Sequence, residues 1–175
     1  MGRLRHRTAP GCSFFIRTKA FQNAALFQAS TPASIFVAVL FRYRQRGEYL
    51  LHAFVVMPNH VHLLITPSIR CSLERAMQLI MGGSAHEIHQ QCGGRRPSWQ
   101  SGFYEATIRN VADYESKVNY IHRNPVMARL VTDASDWKWS SASGVYTLDQ
   151  IPPRLKPDCM AVEMSELKLR PPNWE

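Results

Sequence analysis

The stretch YLLHAFVVMPNHVHLLIT, residues 49–66, holds two apolar, β-branched runs on either side of Pro58 and Asn59. Such runs around a short turn signal predict two strands that pair with each other. His60 and His62 lie two positions apart at the start of the second run, so both imidazoles should point to one face of the sheet. This segment therefore predicts a buried sheet that carries two polar rings on one side.

The segments before this pair predict one strand and one helix. SFFIRT, residues 13–18, follows a Pro-Gly sequence and is aromatic and β-branched, which is typical of a strand. Ser30 or Thr31 offers an N-cap to an apolar stretch that continues to Leu40, and Gly47 follows as a stop signal.

The segments after the pair predict a helix, a strand and a second helix. SLERAMQLIMGG, residues 72–83, has apolar residues at helical spacing, and the pattern continues beyond its glycine pair, where the helix could kink or end. FYEATIRN, residues 103–110, predicts a strand. A last helix is expected from about Asp113, as its cap, to Asn124, because Pro125 pushes the preceding residue out of the helical region.

The order strand, helix, strand, strand, helix, strand, helix contains no internal repeat. It predicts an α+β fold, an antiparallel sheet with helices packed on one face. We expect residues 1–148 to form one domain, and residues 149–175, which hold many of the prolines and show no periodicity, to form an irregular tail.

The composition favours a nucleic acid as the partner. The 175 residues carry a net charge of +8 with a pI near 9.7, and such a surface attracts phosphate backbones. No apolar run approaches the roughly 20 residues of a membrane span, and no signal sequence is recognisable, so we expect no membrane association and a cytoplasmic location. The four cysteines form no C-x-x-C pair, which argues against a zinc ribbon; free thiols are expected.

Two sets of residues could carry chemistry. His60 and His62 could share a metal ion, although an H-x-H pair also arises by chance in a chain with seven histidines. In NYIHRNP, residues 119–125, Tyr120 and Asn124 lie one helical turn apart, so an amide oxygen could be a third ligand beside a tyrosine hydroxyl. The alternative is that Tyr120 packs in the core and Asn124 caps the helix.

Together these segments resemble a known family. FVVMPNHVHLLI (54–65), YIHRNPVMARLV (120–131) and DWKWSS (136–141) are similar to the single-tyrosine HUH transposases that mobilise insertion sequences, and specifically to their REP-associated branch. PGCSFFIRT (10–18) and WQSGFYEATIRN (99–110) resemble further strands of that branch, so the likeness covers roughly residues 11–146.

The resemblance implies a ferredoxin-like sheet and a site in which Tyr120 is the nucleophile and His60, His62 and Asn124 hold a divalent ion, magnesium or manganese. It implies cutting and rejoining of single-stranded DNA through a 5′-phosphotyrosine, with a REP-like stem-loop as substrate. It leaves monomer or homodimer open, because the insertion-sequence enzymes look dimeric and the REP-associated branch looks monomeric. Where relatives often have a glycine, this chain has Arg129.

Basic and aromatic residues outside this set are candidate DNA contacts, the arginines for phosphates and the indole for stacking on unpaired bases. They are Arg42, Arg44, Arg46, Arg95, Arg96, Trp99, Arg109 and Arg123. Two other functions fit the same residues: a basic module that binds nucleic acid without chemistry, and a metal-dependent nuclease that uses an activated water. Neither would depend on the hydroxyl of Tyr120.

Overall fold

The computed structural model describes residues 11–94, 96–151 and 155. Its strands are β1 (Phe14–Lys19), β2 (Tyr49–Val56), β3 (His60–Pro67) and β4 (Tyr104–Thr107), and its helices are α1 (Ser30–Gln45), α2 (Leu73–Cys92) and α3 (Val111–Met127). The predicted order of elements is confirmed. Of the tail expected over residues 149–175, all but four residues lie outside the described part of the chain.

The four strands form one sheet in the order β2-β3-β1-β4, and every neighbouring pair is antiparallel. With a helix in each of the connections β1 to β2 and β3 to β4, this is the ferredoxin-like arrangement. The predicted α+β fold class is confirmed. Among the described residues no helix is long and apolar enough to cross a membrane.

The helices cover both faces of the sheet. α1 and α2 pack on one face through residues such as Phe36, Leu40 and Met77. α3 packs on the other face, where Ile121 meets Phe15 and other sheet residues. The expectation that all helices lie on one face is therefore corrected for α3, since the periodicity of a helix identifies its own apolar side but not the sheet face that receives it.

The limits of α3 also differ from the prediction. The helix begins at Val111, and its cap is Asn110, whose side chain accepts a hydrogen bond of 2.8 Å from the amide of Asp113. It continues through Pro125, which is buried, to Met127. A proline inside a helix removes one backbone hydrogen bond, and here the packing of α3 on the sheet outweighs that loss.

The segment DWKWSS, residues 136–141, covers the outer edge of β2, which is the last strand on one side of the sheet. The amide of Val56 donates to the carbonyl of Trp139 at 2.8 Å, and Nε1 of Trp137 donates to the carbonyl of Val56 at 2.9 Å. An unpaired edge strand invites association with other chains, so this segment has a structural role. Among the cysteines expected to be free, Cys71 and Cys92 are free.

Candidate active site

The two histidines of β3 point to the face of the sheet that α3 covers. Their ring centroids are 4.9 Å apart, and His62 is only 1% exposed. Nδ1 of His60 donates a hydrogen bond of 2.7 Å to the side-chain oxygen of Asn59. Because that nitrogen carries the proton, Nε2 of His60 keeps a lone pair that can bind a cation.

Both imidazoles are held in the neutral form. Burial lowers the pKa of His60; the contact with the Asn124 side chain opposes that change, and the charges of Lys19 and Arg17 add to it. Burial, followed by the neighbouring His60 and Arg17, lowers the pKa of His62 to about 3. Neutral imidazole is the form that binds metal ions, so the environment maintains both rings as potential ligands at neutral pH.

Helix α3 brings the other two predicted residues to the same place. Nδ2 of Asn124 lies 3.3 Å from Nε2 of His62, and the Tyr120 ring centroid lies 5.2 Å from that of His62. Asn124 is 8% exposed and its side chain faces the sheet, whereas Tyr120 is 39% exposed. This geometry disfavours the alternative interpretation of a core tyrosine and a capping asparagine.

The arrangement fits a divalent ion. Nε2 of His62 and the side-chain amide of Asn124 face each other at 3.3 Å, and rotation of that amide by 180° would turn its oxygen, the atom that can bind a metal, toward the same point. Nδ1 of His62 is buried without a hydrogen-bond partner among the described residues. The described residues contain no group of three or more His, Cys, Asp or Glu side chains suited to a metal, so a metal bound beside the two histidines would need a donor of another type, such as the amide oxygen of Asn124, which suits hard ions.

His122 lies on α3 between Tyr120 and Asn124, and the sequence indicated no role for it. Its Nε2 makes a hydrogen bond of 2.8 Å with Oγ of Ser141. That hydroxyl also donates to the carbonyl of Phe54 at 3.1 Å and accepts from the Phe54 amide at 3.0 Å. His122 therefore joins α3 to the segment that covers β2, outside the group formed by His62, Tyr120 and Asn124.

A cavity of about 220 Å³ opens in front of Tyr120. Its walls include residues that the sequence analysis did not select: Phe15, Arg17, Tyr104 and Lys117, beside His62 and Tyr120. Arg17 stands directly opposite His62 in the β1–β3 pairing, and Lys19 stands opposite His60. The alternation along β1 would have revealed both cations once this pairing was known, but the pairing of strands that are distant in the chain, such as β1 and β3, cannot be read from one sequence.

The arginines at the C-terminal end of α1 that were predicted to contact DNA, Arg42, Arg44 and Arg46, lie on the face of the sheet opposite to the histidine pair. Arg42 forms an ion pair of 2.8 Å with Glu87, and Arg44 binds both carboxylate oxygens of Asp149 at 2.7 and 2.9 Å. The guanidinium of Arg46 lies over the ring of Tyr43.

The remaining candidate contacts divide into exposed and packed side chains. Arg96, Arg109 and Arg123 are exposed. Trp99 is partly buried: its ring lies 5.8 Å from those of both Phe27 and Phe36, and its Nε1 donates to the carbonyl of Met81. Arg95 lies outside the described residues. DNA contact by any of these residues stays a prediction.

Paired histidines on a central strand, faced by a helix that presents a tyrosine and an amide, match the site that the resemblance to single-tyrosine transposases implies. A family model described as "Transposase IS200 like" matches residues 24–124. The REP-associated tyrosine transposase of Escherichia coli (strain K12) is 30% identical over 116 residues, which are 63% of this chain and 67% of that protein.

A solved structure gives the same result. It is described as the REP-associated tyrosine transposase bound to a REP hairpin, and it matches with a TM-score of 0.67 and 25% identity over 90% of this chain and 94% of that one. The chain belongs to the IS200-like transposase family. The predicted resemblance to its REP-associated branch is confirmed, and the protein is an enzyme that acts on DNA.

Proposed function

We propose that this transposase cuts and rejoins single-stranded DNA next to a stem-loop, with Tyr120 as the nucleophile. The observation that carries the proposal is the position of Tyr120, whose ring lies 5.2 Å from that of His62 while 39% of the residue remains exposed to an incoming strand. The similar enzyme bound to a REP hairpin supports the choice of substrate.

In the proposed reaction the phenolic oxygen of Tyr120 attacks the phosphorus of a phosphodiester. The new bond joins that oxygen to phosphorus, and the bond from phosphorus to the 3′ oxygen breaks. The phenol proton passes to water, and the leaving 3′ oxygen takes a proton to become a hydroxyl. Since the phosphotyrosine conserves one phosphodiester-like bond, a second 3′ hydroxyl can reverse the step without a nucleotide cofactor.

We propose His60, His62 and Asn124 as the residues that hold magnesium or manganese, which would supply positive charge to a non-bridging phosphate oxygen. Burial keeps the pKa of both histidines low, so protons do not compete for these donors near neutral pH. Asn124 and Tyr120 share one face of α3 because they are four residues apart, so the helix places donor and nucleophile side by side.

The experiment uses the full-length protein with Mn²⁺ and labelled single-stranded stem-loops taken from DNA that flanks its gene. A covalent protein–DNA band on a denaturing gel, lost in Tyr120→Phe and with chelator, is the expected result. Cutting without such a band would favour an activated-water nuclease, and binding without cutting would favour a binding module.

The cytoplasmic location and the choice between monomer and homodimer stay predictions of the sequence.

A further inference from the structure

The cavity beside Tyr120 has an unusual balance of charge. Arg17 and Lys117 both line it, and none of the described residues that line it is acidic. The ion pairs of the described residues, Arg42 with Glu87 and Arg44 with Asp149, take up other arginines. Two cations in one small cavity repel each other unless an anion lies between them, so the cavity is suited to a negatively charged ligand.

Both cations are held by aromatic rings. The guanidinium carbon of Arg17 lies 5.6 Å from the centroid of the Tyr104 ring, and Nζ of Lys117 lies 4.9 Å from that of Phe15. Phe15 itself contacts Tyr120 edge-on, with centroids 5.7 Å apart. Cation–π contacts position a charge without neutralising it, so each cation stays available to a ligand.

The positions of the two cations are fixed relative to the nucleophile. Lys117 precedes Tyr120 by one turn of α3, and Arg17 is the cross-strand neighbour of His62. From these positions we infer that Arg17 and Lys117 form a phosphate clamp, which binds the non-bridging oxygens of the phosphate that Tyr120 attacks. The inference rests on the proposed function and adds two positioning residues to it.

A phosphate fits the cavity better than a neutral group. The guanidinium of Arg17 can donate two parallel hydrogen bonds to phosphate oxygens, and the ammonium of Lys117 acts as a compact charge. Negative charge on these oxygens must be neutralised for an anionic phosphodiester to accept a nucleophile. The clamp should therefore affect the rate of cutting more than the affinity for DNA.

The test measures single-turnover cutting of the labelled stem-loop, with protein in saturating excess and Mn²⁺ present, for Arg17→Gln and Lys117→Gln. Arg75→Gln and Lys138→Gln are matched controls, since both side chains are exposed and neither lines the cavity. We expect the two clamp variants to cut about 10- to 100-fold more slowly. Their dissociation constants for the stem-loop should rise by no more than about fivefold, the loss of one phosphate contact.

Arg17→Lys keeps the charge without the planar fork and should recover part of the lost rate. Cutting by Arg17→Gln and Lys117→Gln at the rate of the controls would overturn the clamp alone, and so would a loss explained entirely by weaker binding. If the wild-type protein cuts no stem-loop, the proposed function and the clamp are both overturned, because Tyr120 then attacks no phosphate that the clamp could bind.

Discussion

The side-chain amide of Asn124, on α3, lies 3.3 Å from Nε2 of His62, on β3. The two residues are 62 positions apart in the chain, and only the packing of α3 on the sheet brings them together. That packing also sets Tyr120 beside the histidine pair. The site therefore depends on how firmly the helix is joined to the sheet.

Metal binding should weaken when the buried His62 is replaced. We expect His62→Ala to weaken binding of Mn²⁺ by at least about 10-fold, measured by calorimetric titration of the protein without DNA. His86→Ala, which changes an exposed histidine of α2, is the control. Equal affinity in the two variants would contradict the proposed donors, provided that both proteins unfold cooperatively on heating.

His122 should contribute stability and no chemistry. Replacing it with alanine removes the hydrogen bond to Ser141 and should lower the free energy of unfolding by about 1 kcal/mol. The amount of covalent adduct per folded molecule should stay at the wild-type level. Combining His122→Ala with Ser141→Ala tests the pair, since the two losses should not add if the side chains stabilise each other. A loss of adduct in folded His122→Ala would show that this histidine takes part in the reaction.

Arg129 follows the C-cap of α3 with a φ of 56°. This left-handed conformation costs an L-residue about 1–2 kcal/mol, partly offset by the greater flexibility of glycine in the unfolded chain. Arg129→Gly should therefore raise the free energy of unfolding by about 0.5–1 kcal/mol, measured by urea denaturation. Ala128→Gly, one residue earlier at a negative φ, should lower it. A destabilised Arg129→Gly protein would mean that the arginine side chain makes contacts that outweigh its backbone strain.

His52 should make the fold sensitive to acid. It is 4% exposed, Nε2 bonds to Thr66 at 2.8 Å, and burial lowers its pKa while contacts to Asp149 oppose that change. The unfolded chain takes up a proton near pH 6.5 and the folded chain only at lower pH, so this stability is present above about pH 6.5 and is lost as pH falls.

Comparison of the wild type with His52→Gln isolates this effect, because the other buried histidines titrate in both proteins. The wild type should lose more free energy of unfolding than the variant between about pH 7.5 and 5.5. Parallel pH profiles for the two proteins would show that His52 is protonated equally in the folded and unfolded chains.

The order of elements could be predicted from sequence because it rests on local signals, which are β-branched runs in strands and apolar residues at helical spacing in helices. The four candidate site residues were selected from the H-x-H pair, from the spacing of Tyr120 and Asn124, and from the resemblance to a known family. The face of the sheet that receives α3 could not be predicted, since it depends on packing between distant segments. The same limit hid Arg17, whose importance lies in its register opposite His62. Arg44 shows that the partner of a selected residue can also be hidden in the sequence. The sequence suggested a DNA contact for it, whereas in the structure its guanidinium binds Asp149, 105 residues away.

The most direct test of the account is to locate the DNA on the protein. After the wild-type protein has reacted with a stem-loop and Mn²⁺, nuclease and protease digestion followed by mass spectrometry identifies the peptide that carries the residual nucleotide. We predict a phosphodiester on the hydroxyl of Tyr120. A nucleotide on another side chain, such as the exposed Tyr104 of the same cavity, or cut DNA with no modified peptide, would contradict it.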